Sequence, residues 1–385
     1  MKELYDKEKQ KLKNIVVHPC IQCNTKSNDK LCITEGSGGH VMDFINFYDK
    51  TNDECLVYCG KKISTKKLDN ELLFYSLMTN NLNLIKNFSN FIPKFYNKIC
   101  VKDNDKYYAF ENVGKYYQKK FDFKVGSQTY YHEENKGSKI KALRMDYIDK
   151  NSTSKNFGYR LEGPAGADFR MFDNKVVSFN NSTIEKYDYE KFKQKLDKLF
   201  QNNQNINKLF IDYNSSPKFI KHLKRHYIKN ENILLKSSNM LLKCGKQILS
   251  SKEYKKLCIK RSRYVIHPFI IFDYLFNDMK EIDDVIQKME EFYNTINNSG
   301  SAVKIAPIGS SLLIMTGRTN DITDFTKVKM IDFAHTYVYD SSDVNTNMNG
   351  LNITMLNTIN DKYTVGIKNL IVSLKVYKMF LKFTY

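Results

Sequence analysis

Two residues of opposite charge, spaced for a shared strand face, are the first sign of chemistry in this chain. Asp122 and Lys124 sit in QKKFDFKVGSQTY, residues 118–130, where Phe121, Phe123 and Val125 alternate with them. That period of two is the pattern of a strand buried on one face. It places Asp122 and Lys124 together on the other face, about 7 Å apart. A carboxylate beside an ammonium, with Gly126 ending the run, suits a site for a polar, phosphorylated molecule. The same pattern also fits a half-buried strand with an exposed ion pair, which stabilises little. Asp332 closes a second apolar strand, residues 328–331. Strand ends are where α/β enzymes place metal-binding carboxylates.

The elements that must position these residues can be read along the chain. Residues 1–34 are polar and irregular, an N-terminal extension in which Cys20 and Cys23 could form half of a zinc site. The glycines around residues 36–39 mark a turn. Residues 54–60 read as a strand running into Lys61 and Lys62, followed by a helix opened by Asp69, Asn70 and Glu71. A hairpin over residues 91–110 leads into Glu111, Asn112, Val113 and Gly114, a plausible hinge between a small lobe (35–113) and a larger one (114–385). Residues 189–200 form an amphipathic helix with Phe192, Leu196, Leu199 and Phe200 on one face. Residues 202–273 are Lys- and Asn-rich and read as an insertion whose stripe of Phe219, Leu223 and Tyr227 packs onto the body. Such a surface insertion is expected to be removable. Asp278 and Glu281 make a capping box for a long helix. Two strands follow, at 308–315 and 327–333, then a low-complexity stretch at 340–360 and a closing helix at 364–383.

Phosphoryl transfer needs a lysine on the nucleotide phosphates, a hinge for the base, a basic pocket for the acceptor and a divalent ion. The chain offers candidates in that order: Lys61 or Lys62, then 111–113, then Asp122 and Lys124, then Asp332.

Composition narrows the partners. The chain has 385 residues, a net charge of +19 and 42% hydrophobic residues. The hydrophobic fraction is that of a folded protein, and the charge favours polyanions: nucleic acid, an anionic membrane surface or a highly phosphorylated small molecule. No nucleic-acid-binding module or aromatic platform is visible outside the insertion, which argues against a nucleic-acid-binding protein. No signal peptide or membrane-spanning run is visible, so the expectation is a cytoplasmic or nuclear protein with reduced cysteines, monomeric by default.

Several motifs then coincide. Asp122, Lys124 and Gly126 match the PxxxDxKxG motif of the inositol polyphosphate kinase family, with Gln118 in place of proline. Residues 310–313 match its SSLL motif, 330–336 its MIDFAHT motif, and 361–371 resemble its DxGYxxGLxNLI closing helix with Lys362 replacing a glycine. Residues 38–40, 71–75, 111–113 and 158–160 resemble its GGH, ExxFY, EDV and GFR segments. The chain therefore resembles that family from about residue 38 to 371, apart from the insertion.

The resemblance implies an α+β, two-lobed kinase-like fold, with a small antiparallel-sheet N-lobe and a larger mixed C-lobe. It implies transfer of the γ-phosphoryl of ATP to an inositol phosphate with Mg²⁺. Glu111 and Val113 would offer backbone groups to adenine, Asp122 would bind the ribose, and Lys61, or Lys62, would hold the α- and β-phosphates. Lys124 would act on a phosphate of the inositol or on the transferring group. Arg160 would bind substrate, and Asp332 would hold Mg²⁺ with help from Ser311. Ala334-His335 favours the multikinases and hexakisphosphate kinases over the 3-kinases, and residues 152–154 lean to the hexakisphosphate kinases. Glu162 leans the other way. Loss of the motif proline and the Lys362 change keep open a family member that binds inositol phosphate but transfers phosphate poorly.

Overall fold

The computed structural model describes residues 1–13, 17–19, 21–22, 44–49, 56–62, 68–81, 84–102, 105–114, 117–131, 145–146, 148–150, 152–165, 168–172, 175–180, 183–186, 189–201, 203–224, 267–297, 302–318 and 325–382. Cys20, Cys23, the glycines at 36–39 and residues 225–266 lie outside them.

The N-terminal lobe is built on a six-stranded sheet in the order β1-β5-β6-β4-β3-β2. Its strands are β1 (Val17–Pro19), β2 (Ile21–Gln22), β3 (Phe44–Asp49), β4 (Leu56–Lys62), β5 (Phe95–Lys102) and β6 (Asp105–Glu111). Helix α2 (Leu68–Asn80) covers it with Leu73, Phe74, Tyr75 and Leu77 buried. The C-terminal lobe holds a four-stranded sheet, β14-β13-β7-β8. Here β7 is Tyr117–Val125, β8 Tyr159–Ala165, β13 Ser311–Arg318 and β14 Lys327–Ile331, and every neighbouring pair is antiparallel. A three-stranded sheet, β9 (Asp168–Phe172), β10 (Lys175–Asn180) and β11 (Thr183–Lys186), and a pair, β12 (Val303–Pro307) with β15 (Thr336–Asp340), complete the strands used here. The architecture is α+β in two lobes, as the resemblance implies, but the N-terminal sheet is mixed rather than antiparallel throughout, because β1 runs parallel to β5.

Alternation in β7 is real and decides its faces. Phe121, Phe123 and Val125 are buried against one side together with Leu312 and Ile314 of β13 and Val328 and Met330 of β14. One core runs through both lobes: Phe74 of α2 stacks on Phe333 at 4.3 Å, and Tyr75 meets the same ring edge-on. Behind the sheet lie α7 (Pro268–Leu275), α8 (Met279–Ile296) and α9 (Ile353–Lys382). Asp278 caps α8 by accepting from the Glu281 amide at 2.9 Å. Glu281 returns its carboxylate one residue further out than a capping box does, to the Asn277 amide, and also to the Gly317 amide of β13.

Three expectations change. The first residues are not irregular: α1 (Lys2–Lys13) is a helix. Its Tyr5 hydroxyl donates to the Val338 carbonyl and accepts from the Val338 amide, at 3.1 and 2.9 Å. The closing helix begins at Ile353, inside the stretch read as low-complexity, because Leu356 and Ile359 bury there. The first part of the expected insertion forms α5 (Gln204–Asp212) and α6 (Pro217–Leu223), capped by Asn203 and Ser216. Ile206, Leu209, Phe210, Phe219 and Leu223 all join the main core, beside α4 (Tyr189–Phe200) and the short α3 (Ser154–Phe157). The packing of Phe219 and Leu223 agrees with the expected stripe. Tyr227 lies outside the described residues.

Candidate active site

The second face of the four-stranded sheet collects the residues of interest. Cross-strand partners share a face. Ser311 of β13 pairs with Lys124 on one side and Ile331 on the other, and Leu313 pairs with Asp122 and Lys329. The face therefore carries Asp122, Lys124, Ser311 and Lys329 among Leu313, Met315 and Ile331. Those last three pack with Val113 and Tyr117 into a small apolar cluster at the hinge. Opposite Asp122, β8 carries an extra residue: Asp122 pairs with Gly163 and Phe123 with Leu161, so Glu162 bulges between them. Bulges next to sites re-aim side chains.

Lys124 and Asp332, 208 residues apart in sequence, meet here. The Lys124 ammonium donates to Asp332 Oδ2 and to the Gly309 carbonyl, each at 2.7 Å. Asp332 follows β14 with φ 65°, a left-handed turn that lifts its carboxylate off the sheet and leaves it 45% exposed. The next turn is held by Thr336 donating its amide to the Phe333 carbonyl and by Ile308 donating to the His335 carbonyl. The MIDFAHT segment is thus a tight corner, with Phe333 anchored under α2 and Asp332 turned outward.

Charge is concentrated at this corner. Burial raises the Asp122 carboxyl, and nearby Asp332 and Glu162 add to the effect; Lys124 and Ser311 oppose it, and the result is pushed up to about 6. Burial would lower the Lys124 ammonium, but Asp332, Asp122 and Glu162 more than reverse that and hold it above its ordinary range. Lys124 stays cationic, in a ring of carboxylates.

The other predicted residues fall in two groups. Glu111 and Val113 lie at the end of β6, next to the apolar cluster; the Glu111 amide donates to the Lys94 carbonyl and the Val113 amide to the Glu111 carbonyl, at 2.8 and 3.0 Å. Lys61 and Lys62 close β4, with Lys61 in register with Tyr108 and Lys62 with Tyr107. Arg160 is the register partner of Lys124, yet it is only 1% exposed. Its guanidinium donates to Asp149 at 2.5 Å, Ser154 at 3.0 Å and Glu162 at 3.2 Å. Asp149 in turn accepts from the Thr129 amide and hydroxyl. The structure thus uses Arg160 to brace the wall beside Lys124 and gives it no open face toward a substrate.

Sequence reasoning gave no site role to Lys327, Lys329 or Glu162. The alternation K-V-K-M-I-D in β14 was the available signal for the two lysines. The bulge that places Glu162 leaves no trace in the sequence.

The family model described as inositol polyphosphate kinase matches residues 244–375. Over that third of the chain the sequence is similar to the inositol polyphosphate kinases. The match takes in Ser311, Asp332 and most of the closing helix, and it begins inside the segment read as an insertion. Comparison with curated proteins gives no match. Among solved structures the chain is similar to the inositol phosphate multikinase Ipk2 of S. cerevisiae in complex with ADP and Mn²⁺, at 16% identity, 85% coverage of this chain and 98% of that one, with a TM-score of 0.38. A second inositol phosphate multikinase structure is similar at 13% identity, with 79% and 98% coverage and a TM-score of 0.36.

Proposed function

We propose that this chain is an inositol polyphosphate kinase that transfers the γ-phosphoryl of ATP to an inositol phosphate, in the manner of the multikinases or hexakisphosphate kinases. The observation that carries the reading is the Lys124–Asp332 contact: a part-buried cation and a half-exposed carboxylate from distant motifs, 2.7 Å apart on one face.

The residues present fit a magnesium ion. Mg²⁺ takes one or two carboxylates and completes its shell with water and phosphate oxygens. Among the described residues no three His, Cys, Asp or Glu side chains group to hold a metal alone. Asp332 would hold the ion, with the Ser311 hydroxyl behind it. Asp332 and Glu162 lie close enough to Asp122 to interact with it electrostatically, a grouping of carboxylates whose charge a cation would offset. When bound, such an ion would supply neutralisation of the charge on the transferring phosphate group.

The protein's own share is positioning and charge. The apolar cluster of Val113, Tyr117, Leu313, Met315 and Ile331 would seat the base beside the hinge backbone. Asp122 would accept from the ribose hydroxyls, and Lys61 would reach the α- and β-phosphates from β4. An inositol hydroxyl would attack the γ-phosphorus as the bond from phosphorus to the β–γ bridging oxygen breaks, leaving ADP, and the hydroxyl proton would be released to solvent. Lys124 would sit against the phosphoryl group in flight and offset its charge without giving up a proton. Preorganised charge of this kind is the main lever for such a reaction.

Both departures from the family motifs are accommodated. Gln118 is an exposed residue at the start of β7. Lys362 donates to Gln128 at 2.7 Å and lies over the Tyr131 ring. Neither removes a residue of the site, which favours an active enzyme over a binding-only relative. The test is incubation of the purified chain with labelled ATP, Mg²⁺ and a panel of inositol phosphates, followed by separation of products. ATP turnover without any labelled inositol phosphate would sink the reading.

A further inference from the structure

The strand that ends at Asp332 also grips the hinge. Lys327 and Lys329, two apart on β14, point to the same face and both reach Glu111. Lys327 donates to Glu111 Oε1 at 2.6 Å, and Lys329 lies 3.9 Å from Oε2. Oε2 also accepts from the Lys94 amide at 3.2 Å. Lys329, 8% exposed, donates to the Asn90 and Ile92 carbonyls as well, each at 2.9 Å. The connection just before β5 is thereby tied to the same strand. Burial would raise the Glu111 carboxyl, but the two lysines outweigh it and hold it below the ordinary range.

We propose that Glu111 is a positioning residue: its carboxylate, held by Lys327 and Lys329, locks the hinge to the strand that presents Asp332. The lock makes the base-binding edge and the metal-binding corner one rigid unit, so the distance between them is set before any ligand arrives. This rests on the nucleotide reading of the hinge given above. An isolated exposed ion pair would not do this. A network of part-buried, charge-assisted bonds converging on one carboxylate does.

The test uses the full chain with Glu111→Gln, Lys327→Met, the two combined, and Lys327→Arg. The first readout needs no activity: hydrogen exchange in residues 105–114 and 327–331. Lys327→Met is expected to speed exchange in both segments together, and Lys327→Arg to restore it. The second readout is ADP affinity and the split between KM and kcat. Glu111→Gln and Lys327→Met should each raise KM for ATP by roughly fivefold to tenfold and leave KM for the inositol phosphate within about twofold. The combined variant should be no worse than the poorer single one, because both remove one contact. Unchanged exchange in 105–114 in the Lys327→Met protein overturns the lock, as do multiplying effects in the combined variant. A wild-type chain that binds no ADP would sink the nucleotide reading instead, and the exchange result would still decide the lock. Lys327 is part-exposed, so its variant keeps the test open should Glu111→Gln fail to fold.

Discussion

Gly158 and Gly366 touch through their backbones, where the closing helix crosses the end of the β7–β8 hairpin. A Cβ on Gly366 would lie 2.3 Å from the Gly158 carbonyl oxygen, 2.8 Å from Val125 Cγ1 and 3.0 Å from the Gly126 amide nitrogen. That carbonyl already accepts from the Gly126 amide at 2.7 Å. Three motif glycines thus meet at one point, two strand residues beyond Lys124.

Gly366→Ala separates two physical effects of opposite sign. Helix propensity alone predicts stabilisation by about 0.5–1 kcal/mol. Packing predicts the reverse, because the obstacle is a backbone carbonyl that cannot rotate away. Overpacking costs about 1–3 kcal/mol, and displacing the hairpin would weaken the Gly126–Gly158 bond too. We expect net destabilisation of about 2 kcal/mol by denaturant titration. A variant as stable as the wild type would show that the crossing is looser than described.

Asp332→Asn isolates the charge at the proposed metal-binding corner. The position has φ 65°, which asparagine tolerates better than most residues, so the turn should survive. Loss of the carboxylate removes the partner of Lys124 and the proposed hold on the metal. We expect kcat to fall by about 10²-fold or more with a melting temperature near that of the wild type. Near-normal turnover would remove Asp332 from the mechanism.

Much of this site was legible because β-strand alternation is local. The Phe121-Asp122-Phe123-Lys124-Val125 pattern placed both faces of β7 correctly, and the helices at 189–200 and after Asp278 followed from their apolar period. What failed had a physical cause. In α1 the buried stripe includes Glu8, whose side chain is fully buried, so hydropathy hides the period. In 353–363 the Asn and Thr residues, poor helix formers, masked a helix made by tertiary packing. Lys124 meeting Asp332 depends on strand pairing across 208 residues, which no local pattern encodes.

Glu8 gives a pH test of the α1 contact. Its carboxylate accepts from Lys11 at 2.6 Å, Ser76 at 2.7 Å and Asn80 at 2.8 Å, clasping α1 to α2. Burial works against the charged form, but these bonds outweigh it and lower the carboxyl below its usual 4.5. A lowered folded-state value means the unfolded chain takes up the proton first on acidification. The clasp therefore contributes fully above about pH 4.5 and fades as pH falls through the lower folded value. The stability gap between wild type and Glu8→Gln should be constant from pH 8 to about 5 and shrink below that. A gap that stays constant down to about pH 3 would contradict the assignment.

The Lys- and Asn-rich segment, expected from sequence to be removable, is predicted from the structure to be needed for folding. Deleting residues 206–270 would take out Ile206, Leu209, Phe210, Phe219 and Leu223, all in the main core, and the first turn of α7. Phe219 is fully buried and meets Phe157 edge-on at 5.9 Å, in the helix just before Gly158 and β8. His267 ties the far end down: its ring lies 3.1 Å from the Leu223 carbonyl, and its Nδ1 accepts from the Phe269 amide. The two ends of residues 225–266 are therefore held together, which makes that inner stretch the part whose loss would cost least chain entropy. Deleting 206–270 should yield insoluble protein, and Phe219→Ala alone should cost about 3–5 kcal/mol. Replacing 226–265 by a short Gly/Ser linker should leave a soluble, cooperatively melting chain. If that protein folds but no longer phosphorylates inositol phosphates, the basic residues of the replaced stretch contribute to the substrate pocket. A soluble, native-like 206–270 deletion would show instead that α5 and α6 are peripheral after all.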